Sequence, residues 1–287
     1  MKDYINKAKL LLESLPYIKK FYNTIMVIKI GGEPMINPTL KEYIALDIVL
    51  MKYVGIKPVI VHGGGKQITE LMKKLGKKAI FINGLRVTDK ETMNITEMVL
   101  TGLINKDLVG IINLHEGNAV GISGRDGNLI QAEKMRFPKN KDYGYVGKVK
   151  KINPEIIYTL IAKEFIPVIS PVGIGKKGEA YNINADTAAG AIASALNAAK
   201  LIILTDVKGI YKDPEDKDSF LPTIRKTEIK SLIKRKIISA GMLPKVEACI
   251  NALNSGVGKT HIIDGRIPHS ILLEIFTEAG VGTEIVK

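Results

Sequence analysis

Lys29 closes an apolar run, Ile25 to Ile28, and Gly31-Gly32 follows one residue later. His62-Gly63-Gly64-Gly65-Lys66 repeats the arrangement after the next apolar run. Glycines let a backbone approach a ligand closely and aim N–H groups at anionic oxygens, and a neighbouring ammonium adds a full positive charge. The second loop also leads into a helical pattern, whose N-terminus attracts anions. Lys245, in Gly241-Met242-Leu243-Pro244-Lys245, opens another helical pattern. A cation there opposes the helix dipole and asks for a negative partner, although lysine is abundant throughout this chain. Asp186, in Asn182-Ile183-Asn184-Ala185-Asp186, opens the most apolar helical segment; its carboxylate would either cap that helix or orient the two lysines. Arg86 stands in a loop, Gly84-Leu85-Arg86-Val87-Thr88-Asp89, where its guanidinium fork suits a carboxylate or lies on the surface near a helix cap. Thr205-Asp206-Val207-Lys208-Gly209-Ile210-Tyr211 ends another apolar run. His62 reads as a structural residue satisfied by backbone. Gly256-Val257-Gly258-Lys259-Thr260 imitates the end of a P-loop, but Leu253 occupies the first glycine position and the segment runs from helix into strand, so it is a turn.

Such loops work only if strands hold them at one edge. Nearly all-apolar runs at 24–30, 57–62, 166–170, 201–205 and 259–263 read as strands buried on both faces, each ended by Gly, Asp or Pro. Helical periodicity fills the gaps at 39–54, 66–75, 89–103, 154–163, 186–199 and 246–255. This alternation predicts an α/β fold, with helices on both faces of a mostly parallel sheet and ligands at the carboxyl ends of the strands. Before the first strand, residues 4–22 form a helical segment with Leu11, Leu15, Ile18 and Tyr22 on one face and Pro16 as a kink. That stripe packs on its own domain or meets another subunit.

Composition narrows the functional classes. The 287 residues are 46% hydrophobic and 25% charged, which fits a soluble globular protein rather than a disordered or fibrous one. The single cysteine, Cys249, forms no disulfide framework within the chain, and with only four histidines there is no structural zinc motif. The net charge is +13, yet the basic pairs are scattered and not interleaved with aromatics, which argues against nucleic acid as partner. Charges interrupt every apolar stretch before membrane-spanning length, and no secretory signal opens the chain, so a cytoplasmic location is expected. A positive field would still draw phosphorylated and carboxylate substrates.

Taken in order, Lys29-Ile30-Gly31-Gly32, His62 to Gly65, Asn83 to Thr88, Asn182 to Asp186, Thr205 to Ile210 and Gly241 to Lys245 resemble the amino acid kinase family over the chain from about Thr24 onward. The nearest branch phosphorylates N-acetyl-L-glutamate with ATP and Mg²⁺ in arginine biosynthesis. The resemblance implies a three-layer αβα sandwich preceded by an N-terminal kinked helix. It also implies an oligomerisation helix at 1–23, a lobe for the acyl amino acid at 24–197 and a lobe for ATP at 198–287. It makes Lys29, Lys245 and Asp186 catalytic, and places Gly64, Gly65, Arg86 and Asn182 on the acetylated substrate. Gly31, Gly32, Asp206, Val207, Lys208, Gly209, Ile210, Tyr211, Ile237, Ile238 and Ser239 lie around the nucleotide, with no protein-held metal because magnesium arrives on ATP. The helix and the ending from Asp264 to Thr283 further resemble the arginine-inhibited branch, a homo-hexamer built as a trimer of dimers, with regulatory residues Tyr17, His269, Glu274, Gly280 and Gly282. The rival expectations are a kinase for glutamate or aminoadipate displayed on a carrier protein, and a non-catalytic arginine sensor.

Overall fold

The structure is a computed structural model that describes residues 1–82, 84–136, 142–213, 215–238, 241–278 and 280–287, apart from the side chains of residues 2, 3, 7, 10 and 217. The chain opens with helix α1 (Lys2–Phe21) and alternates through β1 (Ile25–Ile30), α2 (Pro38–Tyr53), β2 (Lys57–His62) and α3 (Gly65–Lys74). A short hairpin, β3 (Phe81–Ile82) with β4 (Leu85–Arg86), precedes α4 (Lys90–Glu97), which passes through a π-helical stretch at Met98–Ile104 into α5 (Asn105–Leu114). There follow β5 (Ala119–Ser123), β6 (Ile130–Lys134), β7 (Gly147–Ile152), α6 (Glu155–Ala162), β8 (Ile166–Ser170), β9 (Val172–Ile174), β10 (Ala180–Asn182) and α7 (Ala185–Ala195). The remainder comprises β11 (Lys200–Thr205), β12 (Thr223–Arg225), α8 (Ile229–Lys234), α9 (Leu243–Asn254), β13 (Lys259–Asp264), α10 (Ser270–Phe276) and β14 (Thr283–Val286).

Eight strands form the central sheet in the order β12-β14-β13-β11-β1-β2-β8-β5. Every pairing is parallel except β13 with β14. All five runs expected to be strands are present in it. Their residues alternate between two cores: Val27, Val59, Val61, Leu201 and Ile203 pack under α6, α7 and α9. Met26, Ile28, Ile60, Ile202 and Leu204 pack under α2, α3, α5 and α10 on the opposite face. Strand alternation thus divides apolar runs between two helical layers, which makes the αβα sandwich.

Sequence periodicity did not reveal β5, β12, β14 or the separate four-stranded sheet β10-β9-β6-β7. These strands are short or half-exposed, and β7 carries Lys148, Lys150 and Lys151, so no buried apolar run marks them. The helix expected over 89–103 continues through the π stretch to Leu114. The one expected over 186–199 stops at Ala195, because Ala198 and Ala199 already lead into β11. In α1, with Pro16 inside it, Phe21 is buried against the domain while Leu11, Leu15 and Tyr22 of the expected stripe stay exposed.

Helices α7 and α9 cross closely because Gly190 has no side chain: a Cβ there would stand 3.0 Å from the Ala248 carbonyl oxygen. We expect Gly190→Val to force the helices apart and to cost about 1–3 kcal/mol of stability in urea unfolding.

Candidate active site

Parallel strands bring their carboxyl ends, and the loops that follow them, to one edge of the sheet. Lys29 is two residues beyond Val27 in β1, so its side chain emerges on the α7–α9 face. Asp186 lies in the first turn of α7, which Asn184 caps by accepting from Thr187 N at 3.0 Å. Lys245 lies in the first turn of α9, which starts at the rigid Leu243-Pro244 step. The close helix crossing then carries the three charged groups together.

Asp186 stands between the lysines. Its Oδ1 is 2.9 Å from Lys29 Nζ and its Oδ2 is 3.0 Å from Lys245 Nζ. Burial alone would raise the Asp186 carboxyl, but the two ammonium groups outweigh it and hold the group below the usual carboxylate value. The Lys29 ammonium lies over Gly31, where any Cβ would collide with it. Gly32 adopts φ +76, and the next residue, Glu33, donates its backbone N–H to Asp206 Oδ1. Asp206 therefore anchors the Gly31-Gly32 loop, a bond between residues far apart in the chain that the sequence did not signal.

A cleft of about 540 Å³ joins this charged group to Gly63, Gly64 and Gly65, then to Arg86 and Asn182. Arg86 is buried, donates Nη2 to Gly65 O at 2.7 Å and to Thr69 Oγ1 at 2.8 Å, and stacks on the Phe81 ring at 4.6 Å. Burial lowers its pKa from the usual arginine value, and among the described residues no carboxylate pairs with it. A buried guanidinium without a counter-ion is a receptor for an anion. Asn182 Nδ2 donates to Thr88 Oγ1 at 3.2 Å, and Thr88 Oγ1 donates in turn to Arg86 O at 2.8 Å. Buried Thr88 thereby links the two expected substrate residues. Asn83 lies outside the described residues.

The segment 206–211 leaves the same sheet edge at the end of β11. Ile210 N donates to Thr283 Oγ1 at 2.8 Å, the Tyr211 and Phe220 ring centroids lie 5.3 Å apart, and Val207 and Lys208 are exposed. Gly209 has φ +136, and a Cβ on it would press against Thr283 and Phe220. Ile238 is buried in the C-terminal core and Ile237 packs against it. Among the described residues, none of Asp206–Tyr211, Ile237 and Ile238 lines the cleft. Ser239 lies outside the described residues.

A second cavity, of about 790 Å³, opens between α1 and the C-terminal strands. Tyr17, Glu274, Gly280 and Gly282 line it together. His269 does not: φ +56 turns it toward α2, where Nδ1 lies 2.6 Å from Asp47 Oδ1. The histidine in this cavity is His261, whose Nδ1 is 2.6 Å from Glu274 Oε1, and Lys200 reaches the Phe21 ring at 5.1 Å. His261 sits inside the apolar run at 259–263, where a buried polar residue was the available signal, and Lys200 stands immediately before the run at 201–205.

Residues 24–264 match the model of the amino acid kinase family. The chain belongs to that family. Among its relatives, the acetylglutamate kinase of Pelotomaculum thermopropionicum is 56% identical over 98% of this chain and 98% of its own. The acetylglutamate kinase of Halothermothrix orenii is 55% identical over 100% and 99%. The N-acetylglutamate synthase of Neisseria gonorrhoeae, solved with coenzyme A and N-acetyl-glutamate, superposes with a TM-score of 0.86 at 26% identity, covering 98% of this chain and 63% of that one. Its complex with coenzyme A and L-arginine gives 0.82 at 25% identity over 98% and 65%. The chain thus spans less than two thirds of the synthase's length. As an amino acid kinase it is an ATP-binding enzyme of phosphoryl transfer. No helix among the described residues is long and apolar enough to cross a membrane.

Replacing Lys29 or Lys245 with Ala should lower kcat by about 10²–10³-fold in steady-state assays while circular dichroism stays unchanged. His62 supplies a pH dependence: full burial lowers its pKa from 6.5 to about 4. A depressed histidine is stabilising above its unfolded pKa, and that contribution is lost as pH falls through the folded value. Unfolding free energy should therefore decline between pH 6.5 and pH 4, with a shallower slope in His62→Gln measured by urea titration.

Proposed function

We propose that this kinase transfers the γ-phosphoryl group of ATP to the side-chain carboxylate of N-acetyl-L-glutamate, in the cytoplasm, for arginine biosynthesis. The observation that carries the reading is the cleft itself, with two lysines around Asp186 at one end and an unpaired, buried Arg86 at the other. Relatives at 55–56% identity over nearly the whole chain, both acetylglutamate kinases, support the choice of substrate.

The chemistry needs little beyond placement and charge. The acceptor carboxylate is already ionised at neutral pH, so no side chain has to remove a proton. One carboxylate oxygen forms the new bond to γ-phosphorus as the bond to the β–γ bridging oxygen breaks, and ADP departs with that electron pair. Lys29 and Lys245 neutralise the charge on the in-line oxygens from two sides. Asp186 holds both ammonium groups in place and offsets the repulsion between them. Gly31, Gly32, Gly64 and Gly65 offer backbone N–H groups, Arg86 holds the main-chain carboxylate of the substrate, and Asn182 the acetamido group.

Both oxygens of Asp186 are engaged by ammonium groups, and among the described residues no group of three or more His, Cys, Asp or Glu is placed to hold a metal ion. That donor set fits a magnesium ion carried by the triphosphate, whose phosphates would lie along Lys29, Lys245 and the glycine loops; bound there, magnesium would neutralise phosphate charge. In this reading residues 24–197 bind the acyl amino acid and 198–287 bind ATP, with Asp206–Tyr211 and Ile237–Ser239 around the nucleotide.

The second cavity fits arginine as feedback inhibitor. Glu274, Glu278 and Glu284 suit its guanidinium, and Lys20, Lys200 and Lys259 its carboxylate. The exposed leucines of α1, Leu11, Leu12 and Leu15, support assembly through that helix, residues 1–23, into a hexamer of three dimers. Arginine would then act through α1 and α10 by favouring the less active of two states.

An ATP-dependent hydroxamate assay, which traps acyl phosphates, tests the whole reading. We expect turnover with N-acetyl-L-glutamate, little with glutamate, aspartate or carrier-linked aminoadipate, and inhibition on adding arginine. Turnover only on the carrier-linked acid, or none at all, would overturn the substrate; turnover unaffected by arginine would overturn the regulatory part alone.

A further inference from the structure

The cleft is bordered by a buried hydrogen-bond chain that the mechanism above does not use. His62 ends β2 and is fully buried, and Asn105, just after the π-helical stretch, is 1% exposed. Asn105 Nδ2 lies 2.9 Å from the Val168 carbonyl oxygen and 3.2 Å from His62 Nε2. A carbonyl only accepts, so the atom facing it is the amide nitrogen, and the same –NH₂ is a donor toward the imidazole. Lys106 Nζ, 3.3 Å from Asn105 Oδ1, fixes the amide the same way round. His62 Nε2 must then be the bare, accepting nitrogen. At the other side of the ring, His62 Nδ1 lies 2.9 Å from the Gly63 carbonyl oxygen, again an acceptor, so the proton belongs on Nδ1. Both ends of the ring demand the same neutral tautomer.

What this holds in place is one peptide plane. Gly63 N donates to Ile30 O at 2.8 Å, tying the second glycine loop to the first. Its carbonyl is gripped by His62 from the core side. In a trans peptide the C=O and the following N–H point in opposite directions. The Gly64 N–H is consequently turned away from His62 and the core, toward the cleft that Gly63, Gly64 and Gly65 line. Among the described residues it has no hydrogen-bond partner. Leu100 and Ile104 of the π-helical stretch close over Gly64 where a Cβ would otherwise sit, so the same segment that delivers Asn105 also fixes the loop sterically.

We infer that His62 and Asn105 are positioning residues, which lock the Gly63–Gly64 peptide so that the Gly64 N–H meets the phosphoryl group in transit. This rests on the phosphoryl-transfer reading for its kinetics, but the tautomer does not. The test pairs two variants with one spectrum. Asparagine at 62 places an amide near the position of Nδ1 and retains a donor for Gly63 O; glutamine places it near Nε2, within reach of Asn105 but not of Gly63 O. His62→Gln should lose about 10- to 100-fold in kcat with KM for ATP within about threefold, and His62→Asn should recover most of that loss. In ¹⁵N-histidine spectra of the wild-type chain, the signal missing from His62→Asn should be a neutral ring protonated at Nδ1 from pH 5.5 to pH 8. Equal losses in both folded variants, unimpaired turnover in His62→Gln, or a proton on Nε2 would overturn the inference. Wild-type inactivity on N-acetyl-L-glutamate would overturn the function proposed above and leave the spectrum to decide this point. If His62→Asn fails to fold by circular dichroism, the signal missing from His62→Gln identifies the same ring, and a proton on its Nε2 would still overturn the inference.

Discussion

A buried carboxylate shared by two ammonium groups is the constraint around which this molecule is built. Asp186 is 4% exposed, and a lone ionised carboxylate at that depth would be strongly disfavoured. Lys29 and Lys245 make it tenable, and it in turn makes tenable two like charges facing one small space. Such a triad adds little net stability, because desolvation offsets much of the Coulomb attraction. Its value lies in geometry: the lysines come from a strand and from a helix distant in sequence, and only a fixed anion between them keeps both pointed into the cleft.

The rest of the architecture follows from holding those three groups still. Strand alternation sends Lys29 to the α7–α9 face, and the crossing at Gly190 brings the N-terminal turns of both helices against it. The loops are pinned from outside the cleft. Asp206 holds the turn after Gly32, Arg86 ties the start of α3 to the short hairpin, and Ile30 receives the N–H of Gly63. The result is a pocket with cationic groups at both ends, suited to a molecule bearing a carboxylate at one end and accepting a phosphoryl group at the other.

The layout was legible in the sequence where physics is local. Runs such as that at 201–205 are apolar at nearly every position, as expected of a strand covered on both faces. Glycines after β1 and β2, and charged residues in the first turns of α7 and α9, exposed the main site because each sits at an element boundary. Long-range relations stayed hidden. The β6–β7 pair is held by cross-strand bonding, not by an apolar run, and Asn105 lies just beyond the helical pattern at 89–103, with nothing local to mark it. Asp206 stood out as a residue at a strand end, but its bond to Glu33 depends on the neighbouring strand. His269 was expected beside Tyr17 and Glu274, yet a left-handed backbone turns it to Asp47, and His261, masked by its apolar strand, takes that place. The exposed leucines of α1 show the reverse case: Leu11 and Leu15 of a stripe visible in the sequence have no cover among the described residues.

If Asp186 acts through the lysines it holds, the two kinds of residue must be coupled, and a double-mutant cycle measures that coupling. Turnover would be compared for the wild type, Asp186→Ala, Lys245→Ala and the double variant at saturating ATP and N-acetyl-L-glutamate. If the carboxylate works by fixing the ammonium group, the second substitution removes little that the first has not already disabled, and the double variant should lie within about threefold of the slower single one. Losses that multiply would show the two residues acting independently, with Asp186 not working through Lys245.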